Sequence, residues 1–138
     1  MPYILGIAWD WVIIIAIVVA YLGYMIYRYI VTRRNVTSLT EEEFKKGYRK
    51  AQLIDVREEK EYELGYILGA RNIPSTQIKQ RLSELRKDLP VYLYCQSGTR
   101  SYRAAWILHK EGYEDINVLE PGFKNWNGKI RKVEKPKY

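Results

Sequence analysis

The stretch Val91-Tyr92-Leu93-Tyr94-Cys95-Gln96-Ser97-Gly98-Thr99-Arg100-Ser101 decides how this chain is read. Its first four residues form a short, apolar, β-prone run, which marks a buried strand. The run breaks at Cys95, the only cysteine among 138 residues. Small and polar residues follow, and a helix-like segment extends from about residue 100 to residue 109. A strand, a short glycine-containing loop and a helix N-terminus gather backbone N–H groups and positive dipole around one point. An anionic sulfur is stabilised in such a place, so Cys95 is the candidate nucleophile.

Upstream of this unit, Thr40 followed by Glu43 is a capping-box signature for a short helix to about Lys46, with Gly47 at its end. Residues 35–38 read as a polar connector. Ala51-Gln52-Leu53-Ile54-Asp55-Val56 is a buried strand ended by charge, residues 58–64 make a turn of helix closed by Gly65, and residues 70–73 form a short strand stopped by Pro74. Ser75 caps an expected helix to about Lys87, with Ile78, Leu82 and Leu85 on one face. Downstream, Ala104, Ala105, Ile107 and Leu108 are the apolar side of the helix after Cys95, and Gly112 follows its end. Ile116-Asn117-Val118-Leu119 is a further strand, and Pro121-Gly122 turns into an amphipathic segment around Trp126. Strands alternating with helices predict an α/β fold, a parallel sheet covered on both faces.

The N-terminus is of another kind. Residues 11–27 carry no charge, and Val12-Ile13-Ile14-Ile15-Ala16-Ile17-Val18-Val19-Ala20 has no polar face to meet water. As a helix, residues 11–30 extend about 30 Å, the thickness of a bilayer's hydrocarbon. Trp9 and Trp11 stand at one end and Tyr24, Tyr27 and Tyr29 at the other, where interfacial aromatics belong. No Lys or Arg precedes the run, which argues against a cleaved secretory signal. Arg28, Arg33 and Arg34 follow it, so the positive-inside rule places the N-terminus outside and the remainder in the cytoplasm. The expected division is an anchor with basic flank over residues 1–34 (span about 9–30), one domain over residues 35–128, and a frayed basic tail over residues 129–138.

The formal charge is +7. Lys and Arg are interleaved with Asp and Glu outside the anchor, with no stripe suited to nucleic acid. One cysteine excludes an intrachain disulfide framework and a cysteine-based metal cage, and it agrees with a reducing compartment. No cofactor or metal is expected.

Five motifs now fall in register: Leu53-Ile54-Asp55-Val56-Arg57; Glu61-Tyr62 leading to Gly65-Tyr66-Ile67-Leu68-Gly69-Ala70; Asn72-Ile73-Pro74; Cys95-Gln96-Ser97-Gly98-Thr99-Arg100-Ser101; and Gly122 before Trp126. Over residues 38–128 the chain closely resembles a single-domain rhodanese, the thiosulfate sulfurtransferase family. It departs from the family pattern at Tyr66, where histidine is usual, and at Pro121, where glycine is common.

The resemblance implies a Cys95 thiolate that takes sulfane sulfur from a small sulfur-containing anion such as thiosulfate. The sulfur is then carried as a persulfide to a thiol or protein acceptor. Gln96, Ser97, Gly98 and Thr99 would line the sulfur with N–H and hydroxyl donors, and Arg100 would hold the anion by charge and forked hydrogen bonds. Asp55 and Arg57 are expected to brace neighbouring loops as an ion pair, and Arg71 to stand on the surface or add positive potential at the mouth. His109 falls too late in its helix to act as a base. Cys95 and Arg100 enclose four residues, whereas phosphatases related to this fold enclose five around the larger phosphoryl group. The alternatives are a rhodanese-fold binding or regulatory module tethered to the membrane and, after it, a small Cys-dependent phosphatase.

Overall fold

In the computed structural model, which describes residues 2–134 without the side chains of residues 2, 32 and 33, alternating strand residues feed two separate apolar cores. Strand β2 (Gln52–Asp55) sends Leu53 to one face and Ile54 to the other. Strand β5 (Val91–Tyr94) sends Val91 and Leu93 to the Ile54 side and Tyr94 to the Leu53 side. In β6 (Ile116–Leu119), Ile116 and Val118 join the first side and Leu119 the second. A strand's two-residue period thus builds a sheet buried on both faces.

Five strands form this sheet in the order β1-β6-β5-β2-β4, with β1 covering Val36–Leu39 and β4 Arg71–Asn72. Every pairing in it is parallel. Helix α2 (Glu41–Gly47) brings Phe44 to the Leu53 face, behind the capping box of Thr40 and Glu43. Helix α4 (Thr99–Lys110) covers the opposite face with Ala104, Ala105 and Leu108. A small antiparallel pair, β3 (Tyr66–Ile67) with β7 (Ile130–Arg131), lies apart from the main sheet, and α3 (Glu59–Leu64) precedes it.

Three local expectations differ from this structure. The supposed connector is β1, because Val36 is buried and the whole segment pairs with β6. The helix expected over residues 75–87 is a chain of turns ending in a 3₁₀ turn, Leu82–Glu84; Gln77, Gln80 and Leu85 each donate three residues back, to Pro74, Gln77 and Leu82. Ile78 and Leu85 still reach the core. The tail begins with β7 rather than as frayed chain, and its residues 135–138 lie outside the described residues.

Helix α1 (Pro2–Asn35) is longer than the expected span. Its segment Tyr3–Val31 is long and apolar enough to cross a membrane, and its side chains face outward rather than into a protein core. Its last turns lie against α4 and lead directly into β1.

Candidate active site

The site lies beyond the carboxyl ends of β2, β5 and β6, where an open parallel sheet leaves a crevice. Central strand β5 ends at Tyr94 and delivers Cys95 into the loop before α4. The Cys95 side chain is buried, and its Sγ accepts a hydrogen bond from the Gly98 N–H at 2.9 Å. Gly98 has φ +99°, so the backbone doubles back and aims this N–H at the sulfur. A side chain there would be strained and would meet the Glu120 carbonyl at 3.0 Å.

A second glycine fixes the loop from behind. Gly122 stands at φ 76° and ψ 175°, a conformation left almost entirely to glycine. It lets the Phe123 and Lys124 N–H groups bond the carbonyls of Cys95 and Gln96, at 2.8 and 3.3 Å. A Cβ on Gly122 would come within 2.8 Å of the Gln96 carbonyl carbon and 3.0 Å of Ser97 Cα.

Two arginines flank the loop with different partners. Arg57 is buried beside the fully buried Asp55, donating from Nε at 3.1 Å and from Nη2 at 2.7 Å. It also reaches the Gly65 carbonyl at 2.5 Å and Gln96 Oε1 at 3.3 Å, and lies 4.2 Å from the centre of the Phe123 ring. Burial works to lower the Arg57 pKa, but the hydrogen bonds and charge of Asp55 outweigh it and hold it above the ordinary value. The brace therefore ties β2, the turn at Gly65, the loop and Phe123 into one unit.

Arg100 meets Glu61 of α3 in a forked pair, 2.6 Å from Nη1 to Oε1 and 2.9 Å from Nη2 to Oε2. Both side chains remain about a third exposed. The Arg100 pKa is raised by the Glu61 hydrogen bond against the cost of burial, with the Glu61 charge and then that of Cys95 adding to it. Arg100 is thus a charge near the sulfur, and it is already bound.

The structure places Cys95, Gln96, Ser97 and Gly98 in one loop, Thr99 and Arg100 in the first turn of α4 that follows it, and Asp55 and Arg57 beneath. Arg71 is exposed and donates to the Glu84 carbonyl at 2.9 Å, on the connection before β5 rather than at the loop. A cavity of about 580 Å³ runs along the outer side of the loop, lined by Ser97, Gly98 and Thr99 but not by Cys95 or Arg100. Among the described residues, no group of three or more His, Cys, Asp or Glu is placed to hold a metal ion.

Residues 40–129 match the family model of the rhodanese-like domain. The chain belongs to the rhodanese-like family. It is 57% identical over 119 residues to the uncharacterized protein YqhL of Bacillus subtilis, an alignment covering 86% of this chain and 94% of that one. That alignment is too long for the rhodanese-like portion alone and runs into the α1 segment. The chain is 32% identical to the thiosulfate sulfurtransferase GlpE of Pseudomonas paraeruginosa, across 55% of this chain and 69% of the relative. A rhodanese-related protein from Thermoplasma volcanium superimposes with a TM-score of 0.64 at 25% identity, covering 71% of this chain and 99% of that one. As a rhodanese-like protein, the chain is related to proteins that handle sulfur donors and acceptors.

Two residues of this rhodanese-like site carried no assigned role in the sequence. Glu61 lies inside a family motif, but its partner stands 39 positions away. Ser101, in the first turn of α4, is fully buried, and its Oγ has no hydrogen-bond partner among the described residues.

Proposed function

We propose that the chain is a sulfurtransferase anchored by residues 1–34, with its sulfur-transfer domain, residues 35–128, on the cytoplasmic side. The observation that carries this reading is the Gly98 N–H pointed at the buried Cys95 Sγ inside a four-residue enclosure closed by Arg100. The Cys95 thiolate attacks the sulfane sulfur of a donor such as thiosulfate. A new S–S bond forms at Cys95, the S–S bond of thiosulfate breaks, and sulfite departs with the electron pair. A thiolate or other thiophile on the acceptor then attacks the terminal sulfur, and Cys95 leaves as thiolate.

Each residue of the loop has a share in this chemistry. Backbone donors from Gln96 to Arg100 and the α4 dipole stabilise the anionic terminal sulfur. Hydroxyls of Ser97 and Thr99 add donors, and Gly98, able to take φ +99°, turns its N–H toward the sulfur. Arg100 holds the donor anion and then the departing sulfite. Asp55 and Arg57 position Gln96 and the Gly65 turn. Burial pushes up the pKa of Tyr94, the residue before Cys95, and the nearby Asp55 charge adds to the shift, so its hydroxyl stays neutral and donates no charge to the site.

The anchoring rests on the outward-facing apolar Tyr3–Val31 segment, and the topology on Arg28, Arg33 and Arg34 at one end of it. The full chain, given thiosulfate and cyanide, is expected to form thiocyanate, and Cys95→Ala to form none. Turnover unchanged by Cys95→Ala would refute the proposal.

A further inference from the structure

The cavity beside the loop is walled on one side by α1 and on the other by the domain. Its volume is that of a small-ligand site. Met25, Arg28 and Tyr29 come from the last turns of α1; Ser97 to Thr99, with Tyr102 and Arg103 of α4, face them. We propose that this cavity holds the phosphate headgroup of an acidic phospholipid, a role that rests on α1 crossing the bilayer.

Depth is the first argument. Arg28 lies three residues before the end of the apolar segment Tyr3–Val31, at the level where headgroups, tyrosines and arginines meet. Charge is the second. Arg28 and Arg103 outnumber the Glu120 carboxylate on the same cavity, and the first turn of α4 adds its positive dipole end. Basic pockets at the cytoplasmic side of membrane helices take anionic headgroups in this way. Shape is the third. Arg28 is held 5.6 Å over the Trp106 ring, which keeps its charge at the domain side. Met25 and Tyr29 are exposed beside it and give the acyl chains an apolar exit along α1. A soluble phosphate ester shares the headgroup chemistry but makes no use of that exit. The occupant touches Ser97 and Thr99, so bilayer composition has a direct route to the sulfur-carrying loop.

Native mass spectrometry of the full chain from neutral detergent tests this with three probes: phosphatidylglycerol, phosphatidylcholine and sn-glycerol 3-phosphate. The structure predicts preferential retention of phosphatidylglycerol, weakened about fivefold by Arg103→Gln. Lys79→Gln, a charge change away from the cavity, should leave retention unchanged, and glycerol phosphate should not displace the lipid. Equal retention of the two lipids overturns the proposal. So does a loss shared equally by Arg103→Gln and Lys79→Gln, or displacement by glycerol phosphate, which assigns the cavity to a soluble anion. Alkaline carbonate extraction of membranes bearing the chain separately tests whether α1 is embedded, and thiocyanate formation tests the sulfur chemistry.

Discussion

Arg100 forks onto Glu61, two hydrogen bonds of 2.6 and 2.9 Å between the first turn of α4, just past the Cys95 loop, and α3. The guanidinium that the proposed mechanism assigns to the donor anion is therefore paired in the resting protein, at a place where both side chains still meet solvent. Under that mechanism a donor anion must share Arg100 with Glu61 or replace it.

Glu61→Gln is accordingly expected to lower the KM for thiosulfate about two- to fivefold, the range of a partly exposed ion pair. Arg100→Lys should act the other way, because a single ammonium cannot make the forked pair. Initial rates over thiosulfate concentration separate the two. An unchanged or raised KM in Glu61→Gln contradicts competition for Arg100.

The same pair has a pH signature. The Arg100 hydrogen bond, against the smaller effect of burial, holds the Glu61 carboxylate below its ordinary value of 4.5. A carboxylate depressed by folding stabilises the native state above its unfolded pKa, and this contribution is lost as pH falls through the folded pKa. Urea melts between pH 3 and pH 6 should therefore show a shallower acid loss of stability in Glu61→Gln than in the parent, an expectation that equal slopes would contradict.

Arg57→Leu leaves the fully buried Asp55 without its partner. Removing one member of a buried pair costs about 3–5 kcal/mol, so chemical denaturation should show a large fall in stability. A loss below about 1 kcal/mol, the scale of an exposed pair, contradicts the bracing role.

Gly122→Ala places a Cβ against Gln96 and Ser97 at a backbone conformation that costs a non-glycine residue about 1–3 kcal/mol. The loop has to shift from its bonds to Phe123 and Lys124, and a displacement of that kind is expected to lower kcat/KM about a hundredfold. Steady-state kinetics beside a thermal melt distinguish a displaced loop from an unfolded domain. A folded variant of full activity contradicts the positioning assigned to Gly122.

Protease added to inside-out membrane vesicles should release the rhodanese-like domain, and protease added to right-side-out vesicles should spare it. The opposite pattern contradicts the orientation drawn from Arg28, Arg33 and Arg34.

The parallel sheet and the Cys95 loop were legible in the sequence because their signals are local. Val91 to Tyr94 is apolar over its whole length, Ile116 to Leu119 is apolar but for Asn117, and the turn residues around Gly98 follow the first run at once. β1 was not legible: Val36-Thr37-Ser38-Leu39 has one strongly buried position, and β6, far along the chain, makes it a strand. Ile78, Leu82 and Leu85 fit a helical stripe as well as they fit the turns that carry them, since both place such residues on one side. β7 has two exposed residues, and only β3 reveals it. At the site, the Asp55–Arg57 pair was readable because the two residues stand only two positions apart. The Glu61–Arg100 pair needed the fold to join α3 to the start of α4.

The account turns on sulfur at Cys95, and intact-mass measurement of the full chain after incubation with thiosulfate tests it most directly. The predicted result is a gain of one sulfur atom, removed by cyanide and absent in Cys95→Ala. A wild-type protein of unchanged mass, or an adduct that persists in Cys95→Ala, would contradict it.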